Sequence, residues 1–138
     1  ELTLEEVSKE VNISPHYFSK LFKDEMGENF IDYLTNLRIN AAKEIMKNSL
    51  MSVKEISYEI GYGDPNYFSR IFKRETGYSP YEYVSILRLN HAKTLLKTTD
   101  LSIKEIAFEC GFNSETNFII AFKNHTSLTP GEFRKIPF

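Results

Sequence analysis

Apolar residues along this chain fall into stretches of helical spacing broken by short polar turns, and the same arrangement comes round three times. Leu2-Thr3-Leu4-Glu5-Glu6-Val7, Met51-Ser52-Val53-Lys54-Glu55-Ile56 and Leu101-Ser102-Ile103-Lys104-Glu105-Ile106 open the three repeats. From residue 14 onward the register is constant at fifty residues, so that Phe18, Phe68 and Phe118 align, as do Phe22, Phe72 and Phe122, then Lys23, Lys73 and Lys123. Such self-similarity is the mark of stacked supersecondary units. Repeat one is one residue shorter just ahead of that point, with Val11-Asn12-Ile13 where repeat two has Ile60-Gly61-Tyr62-Gly63 and repeat three has Cys110-Gly111-Phe112-Asn113.

Each repeat predicts two short helices around a sharp turn. Thr3, Ser52 and Ser102 stand just before the apolar periodicity with Glu6, Glu55 and Glu105 three residues on, the pattern of a capping box, and a first helix of about ten residues follows. Gly61 and Gly111 sit where the chain must reverse, and Asn12 is the natural substitute in repeat one, because Asn tolerates positive φ better than most residues. A second helix starts after Ser14, Asp64 or Ser114 as N-cap, with Pro15 and Pro65 at its first position, and ends near Gly27 and Gly77. Two helices joined by a tight turn are a helix-turn-helix pattern. Phe18, Leu21 and Phe22, and likewise Phe68, Ile71 and Phe72, recur at i, i+3 and i+4 and should point inward. Longer amphipathic segments follow the first two repeats. Phe30, Tyr33, Leu34, Leu37, Ala41 and Ile45 share one face of the first, and Tyr83, Val84, Leu87 and Leu95 mark the second, each a helix of about eighteen residues. The predicted fold is all-α, with tandem homeodomain-like helix-turn-helix units joined by long linker helices. Unit one takes residues 1–29, a linker helix 30–49, unit two 50–79, a second linker helix 80–99, and unit three with a short terminal helix 100–138.

The polar side of each second helix carries the candidate chemistry. His16, Ser19, Lys20 and Lys23 in repeat one, and Asn66, Ser69, Arg70 and Lys73 in repeat two, fall at i, i+3, i+4 and i+7 on one exposed face, starting at the helix end that a major groove admits most deeply. Arg70 can fork two hydrogen bonds to guanine and Asn66 can do so with adenine, while Lys20, Lys23 and Lys73 can neutralise phosphates. A polar stripe with a few cations is more often only the solvated side of an amphipathic helix. Two repeats with matched caps, turns, phenylalanines and Ser-Lys or Ser-Arg at the same place favour double-stranded DNA over that reading. Repeat three breaks the pattern with Thr116, Ile119, Ile120 and Lys123, and two exposed isoleucines suit packing against protein better than base reading. Arg38 and Arg88 fit structural ion pairs and backbone phosphate contacts equally well, and Lys123 is a further phosphate candidate.

Charge qualifies this picture. Seventeen basic and nineteen acidic residues give −2, where a basic balance is the usual footprint of a nucleic-acid binder. The distribution is uneven: residues 1–49 carry six basic and nine acidic groups, residues 50–99 seven and five, and residues 100–138 four and five, so the middle third is electropositive. That balance keeps a second class of answer open, a helical interaction or dimerisation module with the same fold and no DNA reading; separately, repeats two and three could be the reading pair, with repeat one a remnant or the dimer contact. Cys110 is the single cysteine, which excludes an intramolecular disulfide, and it reads as a small buried apolar residue. His16, His91 and His125 lie apart with no metal-ligand spacing. There is no Gly-rich phosphate loop and no nucleophile with a plausible base, so neither a cofactor nor an enzyme is expected. No apolar run approaches the ~20 residues of a membrane span, and no targeting pattern opens the chain. A soluble, cytoplasmic protein is expected, and the start at Glu1 within a repeat suggests a piece of a longer one.

Asp64-Pro65-Asn66-Tyr67-Phe68-Ser69-Arg70-Ile71-Phe72-Lys73, preceded by Ser52-Val53-Lys54-Glu55-Ile56 and followed by Gly77-Tyr78-Ser79-Pro80-Tyr81-Glu82-Tyr83, resembles the AraC/XylS family of bacterial transcription regulators, and the likeness extends through Leu37 to Lys43 and Ser14 to Gly27. The resemblance implies two helix-turn-helix units on a rigid linker helix, entering successive major grooves. It also implies RNA polymerase as a partner, activation as a mode of action, and a sensor or receiver domain outside this chain. Positions matching the family's base readers are His16, Ser19 and Lys20 in the first unit, and Pro65, Asn66, Ser69 and Arg70 in the second. Residues 1–83 resemble the form that ends a response regulator or sugar-type sensor, without the family's extra N-terminal helix, and residues 35–138 resemble a second, overlapping domain.

Overall fold

The computed structural model describes residues 3–137, so the Leu2 end of the first repeat lies outside the described residues. Among them the regular structure is helical: α1 (Leu4–Glu10), α2 (Pro15–Met26), α3 (Phe30–Asn48), α4 (Val53–Glu59), α5 (Pro65–Thr76), α6 (Pro80–Thr98), α7 (Ile103–Glu109), α8 (Glu115–Thr126) and α9 (Pro130–Lys135). The linker helices α3 and α6 run nineteen residues each.

Local chemistry explains each start and stop. The side chains of Thr3, Ser52 and Ser102 accept the backbone N–H of Glu6, Glu55 and Glu105, and at α4 Glu55 also accepts the N–H of Ser52 at 3.4 Å, closing the box. The first helices then last seven residues, not ten. They stop early because the turn folds back on them: the N–H of Gly61 donates to the Tyr58 carbonyl at 3.2 Å and that of Tyr62 to the Ser57 carbonyl at 2.9 Å. This closure satisfies the last free carbonyls and requires a left-handed residue, supplied by Gly61 at φ 103°, Gly111 at 88° and Asn12 at 58°. Ser8, Ser57 and Ala107 are buried on the short helices, and Ser57 Oγ donates to the Tyr62 carbonyl at 3.2 Å.

The chain divides into two compact bodies, one ending at Pro80 and the other starting at Tyr81. In the first, α1 packs on α2, α2 on α3, α3 on α4 and α4 on α5. Phe30 and Tyr33 bring α3 against repeat one, with Phe30 edge-on to Phe18 and Phe22 at 5.5 Å and Tyr33 at 5.2 Å from Phe22. Further along α3 the buried residues are Ile39, Ala42 and Met46, while Leu37 is half exposed and Ala41 exposed. The single stripe expected from Phe30 to Ile45 is therefore corrected. A helix serving one partner with its first turns and another with its last ones must change its buried side along its length, and no one stripe describes it.

Repeat one brings a second correction. Phe68, Ile71 and Phe72 are all buried, whereas Phe18 and Phe22 are only partly covered and Leu21 is 43% exposed. In repeat two α3 packs on α4 and α4 on α5, and this packing closes over the inward side of α5.

In the second body Leu89, Ala92 and Leu96 of α6 form a core with Ile106, Ala107, Cys110, Phe118 and Phe122, and Phe133 of α9 packs on it. Charged side chains tie α9 to the end of α6. Arg134 donates to the carbonyls of Leu96 and Thr99 at 3.1 and 3.2 Å. Lys97 donates to those of Phe133, at 2.8 Å, and Ile136, and its ammonium lies over the Phe133 ring at 5.0 Å. Carbonyls at helix ends lack helical partners, and these cations supply them.

Candidate nucleic-acid interface

The second helices of the three repeats, α2, α5 and α8, are twelve residues each, long enough to lay three turns in a groove. Ser14 caps α2 by accepting the Tyr17 N–H at 3.1 Å, and Asp64 caps α5 by accepting that of Asn66 at 2.9 Å. Pro15 and Pro65 occupy the first helical position, as expected from their preset φ.

On α2, His16, Lys20 and Lys23 are exposed and Ser19 is partly covered. On α5, Asn66, Arg70 and Lys73 are exposed while Pro65 and Ser69 are partly covered. The phenylalanines of both helices turn to the other side, so each predicted set shares one solvent-facing stripe. On α8, Thr116 and Lys123 are exposed, Ile119 is partly covered and Ile120 is 55% exposed.

Arg38 and Arg88 are both partly covered. The Arg38 guanidinium lies over the Tyr62 ring, 4.9 Å from its centre, and so close to the turn that a Cβ on Gly61 would come within 3.3 Å of its Nε and Nη2. Arg88 is partly covered, and its Nε is buried without a hydrogen-bond partner. Tyr62 and Tyr67 were not legible as site residues from the polar stripe, yet Arg70 rests over Tyr67 at 5.8 Å and Tyr67 meets Tyr62 edge-on at 5.8 Å. The signal that could have shown this is the Tyr67–Arg70 spacing, because residues three apart on a helix are neighbours.

Other candidate chemistry is spent elsewhere. Burial pushes the Cys110 thiol up to about 11, with Glu109 adding to the effect, so it stays protonated at neutral pH and is a poor nucleophile. Among the described residues no group of three or more His, Cys, Asp or Glu side chains could hold a metal ion, and no helix is long and apolar enough to cross a membrane.

A family model described as a helix-turn-helix domain matches twice, over residues 7–83 and again over 65–136. The stretch from α5 into α6 thus ends one match and begins the other. A solved transcriptional regulator from Chromobacterium violaceum, one of the AraC-type DNA-binding domain-containing proteins, is similar at 32% identity and a TM-score of 0.67, covering 75% of this chain and 96% of that one.

The chain belongs to the AraC-type helix-turn-helix family.

DNA binding by this domain follows from that membership. The DNA-binding domain of AdpA, a global transcriptional factor, solved in complex with a target DNA, is similar at 25% identity and a TM-score of 0.63, covering 72% of this chain and 88% of that one. Among curated relatives, the transcriptional regulatory protein YesN of Bacillus subtilis is 47% identical over 53 residues, which are 38% of this chain and 14% of that protein. The transcriptional activator Btr of Bacillus subtilis is 40% identical over 63 residues, 46% of this chain and 12% of that protein. The matches thus take in under a fifth of these relatives' length.

Proposed function

We propose that this chain reads a DNA operator with repeats one and two as a pair, α2 and α5 entering successive major grooves. The observation that carries this reading is the matched, solvent-facing stripe on the two helices: His16, Ser19, Lys20 and Lys23 on α2, and Asn66, Ser69, Arg70 and Lys73 on α5. Arg70 forks to a guanine and Asn66 to an adenine, Pro65 and the N-terminal turn approach the groove floor, and the lysines hold phosphates. The regulator works in the cytoplasm without enzymatic activity of its own, recruits RNA polymerase as an activator, and takes its signal from a sensor or receiver domain outside these residues. The greater length of YesN and Btr and the activator name of Btr support that arrangement.

The half-exposed Ile120 favours a different role for repeat three, contact with protein, because an isoleucine on a wet surface gains more from an apolar partner than from a phosphate-lined groove.

Selection of bound sites from random duplex, followed by affinity measurement on the selected site, tests the reading. Arg70→Ala weakens binding by about 1–3 kcal/mol and relaxes preference at one base pair, whereas Lys73→Ala weakens all sequences alike and lowers the slope of log affinity against log salt by about 1. Binding with almost no salt dependence in the parent would instead mark an interaction module.

A further inference from the structure

Repeat two holds a connected stack that the other repeats lack. From the linker helix outward it runs Arg38, Tyr62, Tyr67, Arg70, with the Arg38 guanidinium 4.9 Å from the Tyr62 ring centre, the two tyrosine rings 5.8 Å apart at 63°, and the Arg70 guanidinium 5.8 Å from the Tyr67 ring centre. The inner end is fixed: Tyr62 is 4% exposed, stacks on the buried Phe68 at 5.8 Å, and is held by its backbone N–H to Ser57. The outer end is open, with Tyr67 at 44% exposure and Arg70 exposed. At the matching positions repeat one has Ile13, Tyr17 and Lys20, and repeat three has Phe112, Asn117 and Ile120. Neither can build the series from ring to ring to guanidinium.

We propose that Tyr67 is a specificity-positioning residue that presents the Arg70 guanidinium to its base, and that Arg38 braces Tyr67 from behind through Tyr62. The proposal rests on the reading of Arg70 as a base reader. A free arginine side chain samples many rotamers, and a bidentate contact to one base edge requires a single one. A ring face that attracts the guanidinium narrows that choice before DNA arrives, so less freedom is lost on binding. The sandwich also assigns Arg38 a place in base selection without contact to DNA. Its role is mechanical, joining the linker helix to the reading helix across the turn that Gly61 closes.

The test is a double-mutant cycle on the full chain, with affinity measured for the selected site and for each single-base variant of it. Tyr67→Leu, at a half-exposed position, keeps the parent melting temperature. It weakens binding to the selected site about two- to five-fold and flattens discrimination at the base pair read by Arg70. Tyr67→Phe restores the ring and recovers most of that loss. The double variant Tyr67→Leu with Arg70→Ala binds no more weakly than Arg70→Ala alone, because Tyr67 acts only through Arg70. Losses that add in the double variant, or a Tyr67→Phe as weak as Tyr67→Leu, would mean that Tyr67 touches DNA on its own account, and would overturn the proposal while leaving Arg70 as a reader. An Arg70→Ala variant as tight as the parent would overturn both together. For the brace, Arg38→Met reduces discrimination at the same base pair with an unchanged salt slope. A slope lower by about 0.9 would show that Arg38 neutralises a phosphate, and would remove it from the stack's function.

Discussion

Leu21 and Ile71 hold the same position in their repeats, yet one is 43% exposed and the other 7%. Spacing alone assigns both inward, and the phenylalanines beside them follow that rule in repeat two. What differs is how far neighbouring helices cover each position, which spacing within one helix does not record. Burial turns this into a difference in stability. Ile71→Ala, which removes a well-packed side chain, should cost about 2–5 kcal/mol in denaturant unfolding. Leu21→Ala should cost under about 1 kcal/mol, because water already reaches much of that side chain. Equal losses would show that the two repeats are covered alike. Tyr62 and Tyr67 belong to this scale too. Their types are visible in the sequence, but the order in which they join Arg38 to Arg70 depends on a turn geometry that residue types only imply.

Among the elements, the termini of the helices were the most legible feature, because caps act within a few residues of chain. Ser14, Asp64 and Ser114 start their helices as expected, and Gly27 and Gly77 end α2 and α5 at φ 79° and 83°. Repeat three puts Ser127 at the equivalent place, at φ 68°, with its N–H donating to the Lys123 carbonyl at 2.7 Å. A side chain there strains the backbone and a glycine would not. Ser127→Gly is therefore expected to raise the unfolding free energy by about 0.5–1 kcal/mol, read as a higher denaturant midpoint at unchanged slope. A lower midpoint would mean that the Ser127 side chain holds a contact worth more than the strain. The linker helices were legible in length and not in facing: Leu37 and Ala41 fall on the apparent stripe and remain exposed, while Ile39, Ala42 and Met46 are buried.

At the scale of the whole molecule, three repeats give two overlapping family matches, with the stretch from α5 into α6 common to both. Pairing of repeats one and two predicts protection of two successive major grooves on one face of the duplex, about 10–10.5 base pairs apart. Replacing Ile119 by Ser together with Ile120 by Arg should leave that footprint unchanged and, with Ile120 half exposed, should shift the melting temperature by only a few degrees. Hydroxyl-radical footprinting checks the first and thermal unfolding the second. A third protected groove in the parent would assign repeat three to DNA and overturn the pairing. The two grooves, if found beyond repeat one, would assign the reading to repeats two and three.

The sequence by itself determined the features governed by short-range rules: helix starts through Ser, Thr and Asp caps, turns through Gly61, Gly111 and Asn12, the threefold repeat, and the polar stripes opposite the phenylalanines. These depend on backbone preferences and on the 3.6-residue period, both local. Tertiary structure alone decided which apolar side chains are covered and where long cations rest. Leu21 stays wet and Ile71 does not, α3 changes its buried side midway, Arg38 lies on Tyr62, and Lys97 and Arg134 bond to carbonyls some thirty-five to forty residues away in the chain. Burial is a property of the neighbours a segment acquires, and a flexible cation settles on whichever ring or carbonyl the folded chain brings within its reach.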